Sequence, residues 1–573
     1  MLNTSNDQRK LLPNFEQLFT TTAQAPGGVA RLRELILTLA VQGKLVPQDA
    51  SDEPASELLK KIRAEKDRLI AEGKIKKDKP LAEITEGEKP FELPFSWVWV
   101  RLGILGEIVG GGTPKSDSSE YWTDDGVAWV TPADLYGKKD IFISRGRRDI
   151  TELGLSSSSA KLMPKGSVLF SSRAPIGYVA ISSNPIATNQ GFKSCVPYFS
   201  EFNKFIYWHL KYSGPIIDAG ASGTTFKEIS GRDFSEVLIA LPPVAEQSRI
   251  VARVEELMHL CDALEEKGRL EQAQHQQLLQ AMLDSLTQTT STHELARHWQ
   301  RLAQHFDLLI DRPEGVDALE QTILQLAVRG LLVEQDANDE PASELLKKIQ
   351  AEKDRLINEK SLKKIKSLPE ISDEEVSFDL PSGWSWTRLQ NAYDVRDGTH
   401  DTPKYQSSGF PLVTSKNIYG GFLDLNDVKF ISADDHKKIS ERSKVERNDI
   451  IFAMIGSIGN PVIVNTDVEF SVKNVALFKY YAVNLSCPKF LLLVLQSEVE
   501  SIKARAGGGV QAFVSLGQLR LTPVGFPPLA EQSRIVARVT ELRALCQQLR
   551  EKLTQARSTQ TQLAQAWVEQ AAA

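Results

Sequence analysis

The sequence predicts an α/β protein built as a tandem repeat: two mixed α/β blocks separated by long helices that form an antiparallel coiled coil about a pseudo-two-fold axis. Three observations carry that expectation. The phrase AEQSRIVARV occurs at 245–254 and again at 530–539, an offset of 285. The segment LAVQGKLVPQDASDEPASELLKKIRAEKDRLI at 39–70 returns as LAVRGLLVEQDANDEPASELLKKIQAEKDRLI at 326–357, an offset of 287. Between the repeated parts lie two stretches that differ almost everywhere and carry short β-branched runs punctuated by Gly, Pro, Ser and Asn. Self-similarity at one long period means a duplicated unit, here in the order arm, variable block, helix.

The elements follow in chain order. Residues 1–90 form an amino-terminal helical region. Its arm helix is expected to start near Ser56, after Pro54, and the second arm near Ser343, after Pro341, each with acidic residues in the first turn. Leu58, Leu59, Ile62, Leu69 and Ile70 make one apolar stripe, and the tail KIKKDK at 74–79 leads into a polar linker. The first variable block spans 91–240 and opens with LPFSWVWVRL (93–102); the second spans 378–525 and opens with LPSGWSWTRL (380–389). Strand-like runs are VAWV (127–130), SVLF (167–170) and GYVAI (177–181) in the first, and DIIFAMI (449–455) and PVIVN (461–465) in the second. A central region, 241–377, holds a long helix over about 244–286, roughly 65 Å at 1.5 Å per residue, and then the second arm. The carboxy-terminal region, 526–573, holds the second long helix. Pro-Pro pairs at 242–243 and 527–528 mark a rigid exit from each block.

In the first long helix Ile250, Val254, Leu257, Cys261 and Leu264 step by 4, 3, 4, 3, and in the second Ile535, Val539, Leu542, Cys546 and Leu549 do the same. Spacing of 3.5 residues puts each set on one seam that needs a partner. The most economical partner is the other copy, packed antiparallel; the alternative is that each helix packs on its own domain.

Composition limits the function classes. A chain of 573 residues is too long for one core. Its longest apolar run, FLLLVL at 490–495, is far short of a membrane span. The start MLNTSNDQRKLLPNF lacks a basic-then-apolar leader, so a cytoplasmic protein is expected. Cys195, Cys261, Cys487 and Cys546 are scattered and read as buried, unpaired residues. The net charge of −6 argues against a uniformly basic DNA binder but leaves room for a local basic cleft.

No active site is visible. The Gly-Lys pairs at 43–44, 73–74 and 137–138 are followed by Leu, Ile and Lys, which excludes a P-loop. The Asn-Pro pairs at 184–185 and 460–461 continue with Ile and Val, not the Pro-aromatic ending that an adenine methyltransferase needs to hold a flipped base. HELARH at 293–298 places its second His one residue late for a zincin helix, so no metal is expected. The triple glycines at 110–112 and 507–509 lack the strand–helix setting of a dinucleotide site and read as flexible loops or close backbone approaches to a ligand.

Two variable blocks, each followed by a Pro-Pro-x-x-Glu-Gln-x-x-Ile-Val helix, resemble the specificity subunit of type I restriction-modification enzymes. The markers LPPVAEQSRIV, FPPLAEQSRIV and LPxxWxWxRL recur in both halves, and the doubled DEPASELLKKI arm resembles the subgroup with a long conserved amino-terminal region. The resemblance implies that the blocks are target recognition domains reading two different half-sites of a split, asymmetric sequence in double-stranded DNA. It implies partners: two methyltransferase subunits for adenine N6 methylation and two restriction/translocase subunits for ATP-dependent cleavage. S-adenosylmethionine, ATP and Mg then belong to those partners, and this chain has no cofactor and no catalysis of its own. The rivals are a coiled-coil adaptor that does not bind DNA and a stand-alone DNA methyltransferase.

Side chains with paired donors and acceptors read bases, while Lys, Arg and hydroxyls hold phosphates. On those grounds the first block offers Thr113, Lys115, Ser116 and Trp122, then Ser171, Ser172 and Arg173, then Asn189, Gln190 and Lys193, and last Thr224, Thr225 and Lys227. The second offers Thr399, His400, Thr402 and Lys404, then Lys416 and Asn417, then Ser457, Lys473, Asn474 and Gln511. Arg173 and Lys115 are the leading candidates, Arg because its fork matches guanine.

Overall fold

The structure, a computed structural model, describes residues 15–77, 79–173, 175–221, 227–289, 292–363, 366–376, 378–507 and 512–572. The chain divides into two compact units, Met1–Glu271 with Arg557–Ala573, and Gln272–Ala556. The sequence-predicted architecture of two mixed α/β blocks and long helices is the observed one.

In each unit the variable block is closed at its base by its own two ends. The leading strand Val98–Arg101 pairs antiparallel with the closing strand Leu238–Leu241, and Ser385–Arg388 pairs the same way with Pro523–Phe526. Between them the first block holds a five-stranded sheet in the order Gly106–Gly110, Lys193–Pro197, Val168–Phe170, Val179–Ser182, Phe142–Ile143. The second holds a four-stranded sheet, Asp394–Asp397, Val475–Lys479, Ile450–Ala453, Gly459–Ile463, and a three-stranded one built on Phe410–Val413. One long helix belongs to the core of each block. Phe205, Ile206 and Leu210 of Asn203–Gly220 are buried, as are Phe490, Leu491 and Leu495 of Pro488–Ala504. The apolar run FLLLVL is thus a core helix, and among the described residues no helix is long and apolar enough to cross a membrane.

The arm helices run Ala55–Ala71 and Ala342–Asn358, one residue earlier than Ser56 and Ser343 suggested, and no side chain caps them. The first-turn donor goes elsewhere: Ala55 N donates to Ser96 O (2.9 Å) and Ala342 N to Gly383 O (2.8 Å). A buried helix start needs such partners, and here the opening turn of the block provides them. Lys66 and Lys353 pin the far end of each arm, lying over the rings of Tyr198 and Tyr481 and donating to Gly103 O and Gln390 O.

The repeated phrase AEQSRIV turns out to be a junction. Glu246 accepts from Trp97 Nε1 (2.9 Å) and Gln48 Nε2 (2.6 Å); Gln247 Nε2 donates to Pro242 O; Arg249 pairs with Asp52 at 2.6 Å. The second unit repeats every bond: Glu531 with Trp384 (3.0 Å) and Gln335 (3.2 Å), Gln532 with Pro527 O, Arg534 with Asp339 (2.7 Å). Arm, block and helix meet there. A second anchor lies at the leading strand's end, where buried Arg101 bonds Glu88, Glu236 O and Ala82 O, and buried Arg388 bonds Glu375, Leu521 O and Pro369 O.

The long helices run Val244–Thr287 and Leu529–Ala572. Ile250, Val254, Leu257 and Cys261 are buried in one cluster with Leu32, Ile36 and Ala40 of the helix Gly28–Val41. Ile535, Val539 and Cys546 share a core with Leu319, Ile323 and Ala327 of Pro313–Val328. Leu264, Leu542 and Leu549 are half-buried beside these clusters. Over these stretches each seam is therefore occupied by a shorter helix of its own unit, which the sequence reading left without a role. Each unit also contains a piece of both long helices: Arg31 Nη1 donates to Thr561 O within the first. All four cysteines are free, three buried as expected and Cys487 only half-buried.

Candidate nucleic-acid interface

At one end of the first block several loops converge. The loop after Gly106–Gly110 is held by two indoles, Trp129 Nε1 donating to Gly112 O and Trp122 Nε1 to Lys115 O, each at 3.0 Å. A Cβ at Gly111 would lie 1.9 Å from Asn189 O, and one at Gly112 would lie 2.2 Å from Ala160 N. The triple glycine is therefore a place where the chain approaches itself, not a flexible loop or a ligand cradle. Thr113 Oγ1 donates to Gln190 Oε1, which ties this loop to 188–191. Asp134 caps its own turn through Thr131 and accepts from Arg147 N (3.1 Å), bringing in 145–148. Arg148 lies over the Trp122 ring at 3.5 Å.

This grouping includes residues that sequence reasoning missed. Arg145, Arg147 and Arg148 are exposed beside Trp122 and the Lys115 loop, and neither Lys115 nor Arg147 has an ion-pair partner among the described residues. The signal was present as the run RGRR at 145–148. Arg147, Arg148 stacked on Trp122, and Lys115 are positive groups suited to phosphates, while Arg145 is paired with Asp149 (3.6 Å) and Asp125 (3.9 Å).

Several predicted contacts have other work. Ser171 and Ser172 are fully buried; Ser171 Oγ donates to Pro175 O and accepts from Tyr178 N, shaping its own turn. Neither reaches a surface, so both leave the candidate interface. Arg173 Nε and Lys193 Nζ both bond Glu228, at 2.8 and 3.3 Å. Burial would raise the Glu228 carboxyl, but the hydrogen bonds from Arg173 and Lys193 prevail and hold it below its ordinary range. Arg173 is thus a latch between two loops before it is a base reader. Asn189 Oδ1 accepts from Gly191 N, Lys227 bonds Asp218, Ser116 is exposed, and Thr224 and Thr225 lie outside the described residues.

In the second block Thr399, His400, Thr402, Lys473 and Asn474 do meet. Thr399 N donates to Val472 O (2.9 Å), and Lys473 Nζ donates to Thr402 Oγ1. His400 lies with Nε2 2.9 Å from Asp397 Oδ2 and Nδ1 3.4 Å from Asn474 Oδ1, while Arg442 pairs with the same Asp397. Lys404 and Lys416 are exposed without ion pairs among the described residues, beside exposed Tyr405 and Tyr419. Asn417 is buried: its Oδ1 accepts from Thr414 N and its Nδ2 donates to Asp427 O, as the matching Asp134 caps Thr131 in the first block. It is a capping residue and leaves the interface too. Ser457 lines an open groove of ≈ 1040 Å³ with Gln496, Lys503 and Arg543, apart from the 399–402 loop, and Gln511 lies outside the described residues.

Known proteins resemble this chain in sequence. The family described as the type I restriction modification DNA specificity domain matches twice, over residues 94–275 and 384–556. The EcoAI specificity subunit of Escherichia coli is 38% identical over 94% of this chain and 93% of its own length. The EcoEI specificity subunit of Escherichia coli is 34% identical over the same shares. The MjaIX specificity subunit of Methanocaldococcus jannaschii is 38% identical over 31% of this chain and 41% of its own. Matched once in each unit by one domain, and along nearly its whole length by two such proteins, the chain belongs to the specificity subunits of type I restriction-modification enzymes.

Proposed function

We propose that this chain selects a split, asymmetric DNA sequence, one half-site through each block, and directs partner subunits that methylate adenine and cleave with ATP. The observation that carries this reading is a shared backbone base under unlike tips. Both blocks close on the same clamp and the same Trp-Glu-Gln junction, yet their exposed loops present different side chains. One block has Lys115, Arg147 and Arg148 beside Trp122; the other has Lys404 and Lys416 with Tyr405 and Tyr419. Two readers that differ on one scaffold suit two different half-sites.

Duplicated scaffold also supports two equivalent docking faces, one for each of two methyltransferase subunits. Ala245, Ser248 and Ala252 are exposed, as are their copies Ala530, Ser533 and Ala537, and the junction bonds do not use them. Restriction subunits join the assembly through those partners, and S-adenosylmethionine, ATP and Mg act there. The spacer helices set the gap, with half-site centres about one duplex turn, ~34 Å, apart.

The test is methyl transfer from labelled S-adenosylmethionine onto a random-sequence duplex library. With the methyltransferase subunits added, label is expected in a gapped, two-part sequence; the chain alone is expected to transfer none. Methylation by the chain alone, or an ungapped sequence, contradicts the proposal.

A further inference from the structure

Beneath the unlike tips lies one hydrogen-bond frame. The parallel pair Trp129–Val130 with Ala187–Thr188 corresponds to Leu412–Val413 with Ser471–Val472. On it, Asn189 N donates to Val130 O and Lys473 N to Val413 O, both at 2.9 Å. Gly112 N donates to Thr188 O at 2.8 Å and Thr399 N to Val472 O at 2.9 Å. Gly111 N donates to Phe192 O and Gly398 N to Val475 O. Matching bond for bond puts Thr113 opposite His400 in the alignment of the two blocks, and Gln190 opposite Asn474.

At those two matched positions each block places a carboxamide beside one hydrogen-bonding neighbour, Thr113 in the first block and His400 in the second. Thr113 Oγ1 donates to Gln190 Oε1. His400 Nδ1 sits 3.4 Å from Asn474 Oδ1, and His400 is itself held by Asp397. The loop that carries the amide has three residues in the first block (189–191) and two in the second (473–474), where Asn474 closes the tighter turn at φ 56°. Gln190 and His400 are exposed and Asn474 half-exposed.

A carboxamide oxygen has two lone pairs and its NH2 two donors. On Gln190 the Thr113 hydroxyl takes one lone pair of the oxygen and leaves the NH2 and the second lone pair free. With Nε2–H donated to Asp397, neutral His400 offers Nδ1 as an acceptor, so the Asn474 amide, its two ends interchanged by rotation, meets it through one N–H and keeps its oxygen and second N–H free. That remaining donor and acceptor match adenine N7 and N6 in the major groove. An amide fixed before DNA arrives also loses less freedom on binding.

We infer that Gln190 and Asn474 are the base-reading amides of the two blocks, each set against an adenine of its own half-site, with Thr113 and His400 as their positioning residues. This rests on the reading of the blocks as half-site readers. The two positions are matched in the frame but differ in side-chain length, loop length and neighbour, so the same chemistry is presented at a different reach in each half.

The test uses the intact complex of this chain with its methyltransferase subunits, and methylated sequences recovered from a random duplex library. Gln190→Ala is expected to relax one A·T position of one half-site about ten- to hundredfold, with the other half-site unchanged. Asn474→Ala is expected to do the same in the opposite half-site. Thr113→Val should relax the Gln190 position more weakly, and Thr113→Ser should restore it, a rescue that loss of folding would not show. Relaxation of a G·C position, relaxation of the same half-site by both alanine variants, or a split site untouched by either overturns this inference alone. A wild-type complex that yields no split site overturns the half-site reading and this inference with it.

Discussion

Lys360 adopts φ 60° at the end of the second arm helix, where the first arm has Gly73 at φ 67°. Both follow the same helix ending, in which Lys74 N bonds Leu69 O and Ser361 N bonds Leu356 O. A left-handed conformation strains any residue with a Cβ, and glycine relieves that at some entropic cost. Lys360→Gly should therefore stabilise the chain by about 1 kcal/mol in urea unfolding; a loss of stability would mean that the Lys360 side chain makes a contribution that outweighs the strain. At the candidate interface, Arg147→Gln and Arg148→Gln should weaken DNA binding evenly across sequences and each reduce the slope of log affinity against log salt by about 1. A change of sequence preference instead would make them base readers. Residue types alone put Thr113, Gln190, His400 and Asn474 among the candidate loop residues, because amides and hydroxyls beside Gly and Pro read as exposed loops; only the fold brings Thr113 to Gln190 and His400 to Asn474. They could not separate Asn417 or Ser171 from that group. Turn capping uses the same polar atoms as base reading, and only the fold shows which way those atoms face.

At the scale of elements, the junction of arm, leading strand and long helix holds two opposite titrations. Burial raises the Glu246 and Glu531 carboxyls, against the hydrogen bonds from Trp97 and Gln48 or from Gln335 and Trp384. Their favourable contribution is therefore present below the ordinary carboxylate value of 4.5 and is lost as pH rises through the raised one. Glu88 and Glu375 run the other way. Glu88 is held at about 2 by the Thr85 backbone N–H and then Arg101, and Glu375 at about 2 by Arg388 and then the Ser372 backbone. Their contribution is present above 4.5 and lost as pH falls toward 2. In melts across pH, Glu88→Gln should lower stability at neutral pH and match wild type near pH 2; a deficit that persists at pH 2 contradicts the anchor. Glu246→Ala, which orphans the buried Trp97 N–H, should cost about 1–3 kcal/mol, and Glu246→Gln much less. Periodicity gave the first long helix to within a residue, and each strand run named from the sequence overlaps an observed strand, since both signals are local. It did not say what covers the seam at Ile250 and Val254. The stripe announces an apolar need, and Leu32 and Ile36 in a helix some 220 residues earlier meet it.

For the whole molecule, the duplication was legible at once because it is written in the letters, and with it the order of arm, block and helix. In the identical phrase AEQSRIV, buried Glu246 and Gln247 and half-exposed Arg249 bind each repeat together. Only the intervening small exposed positions remain for docking. Because both blocks enter and leave through the same clamp, one block should replace the other without disturbing the junction. A four-residue insertion in one spacer helix should change the tolerated gap between half-sites, and an unchanged gap in the methylated sequences would rule out a spacer that sets it. The most direct measurement compares those sequences for the wild-type chain and for a chain whose residues 378–525 are replaced by a second copy of 91–240, each assembled with its methyltransferase subunits. The account predicts two unlike half-sites for the first and two copies of one half-site for the second; an unchanged asymmetric sequence in the second would contradict it.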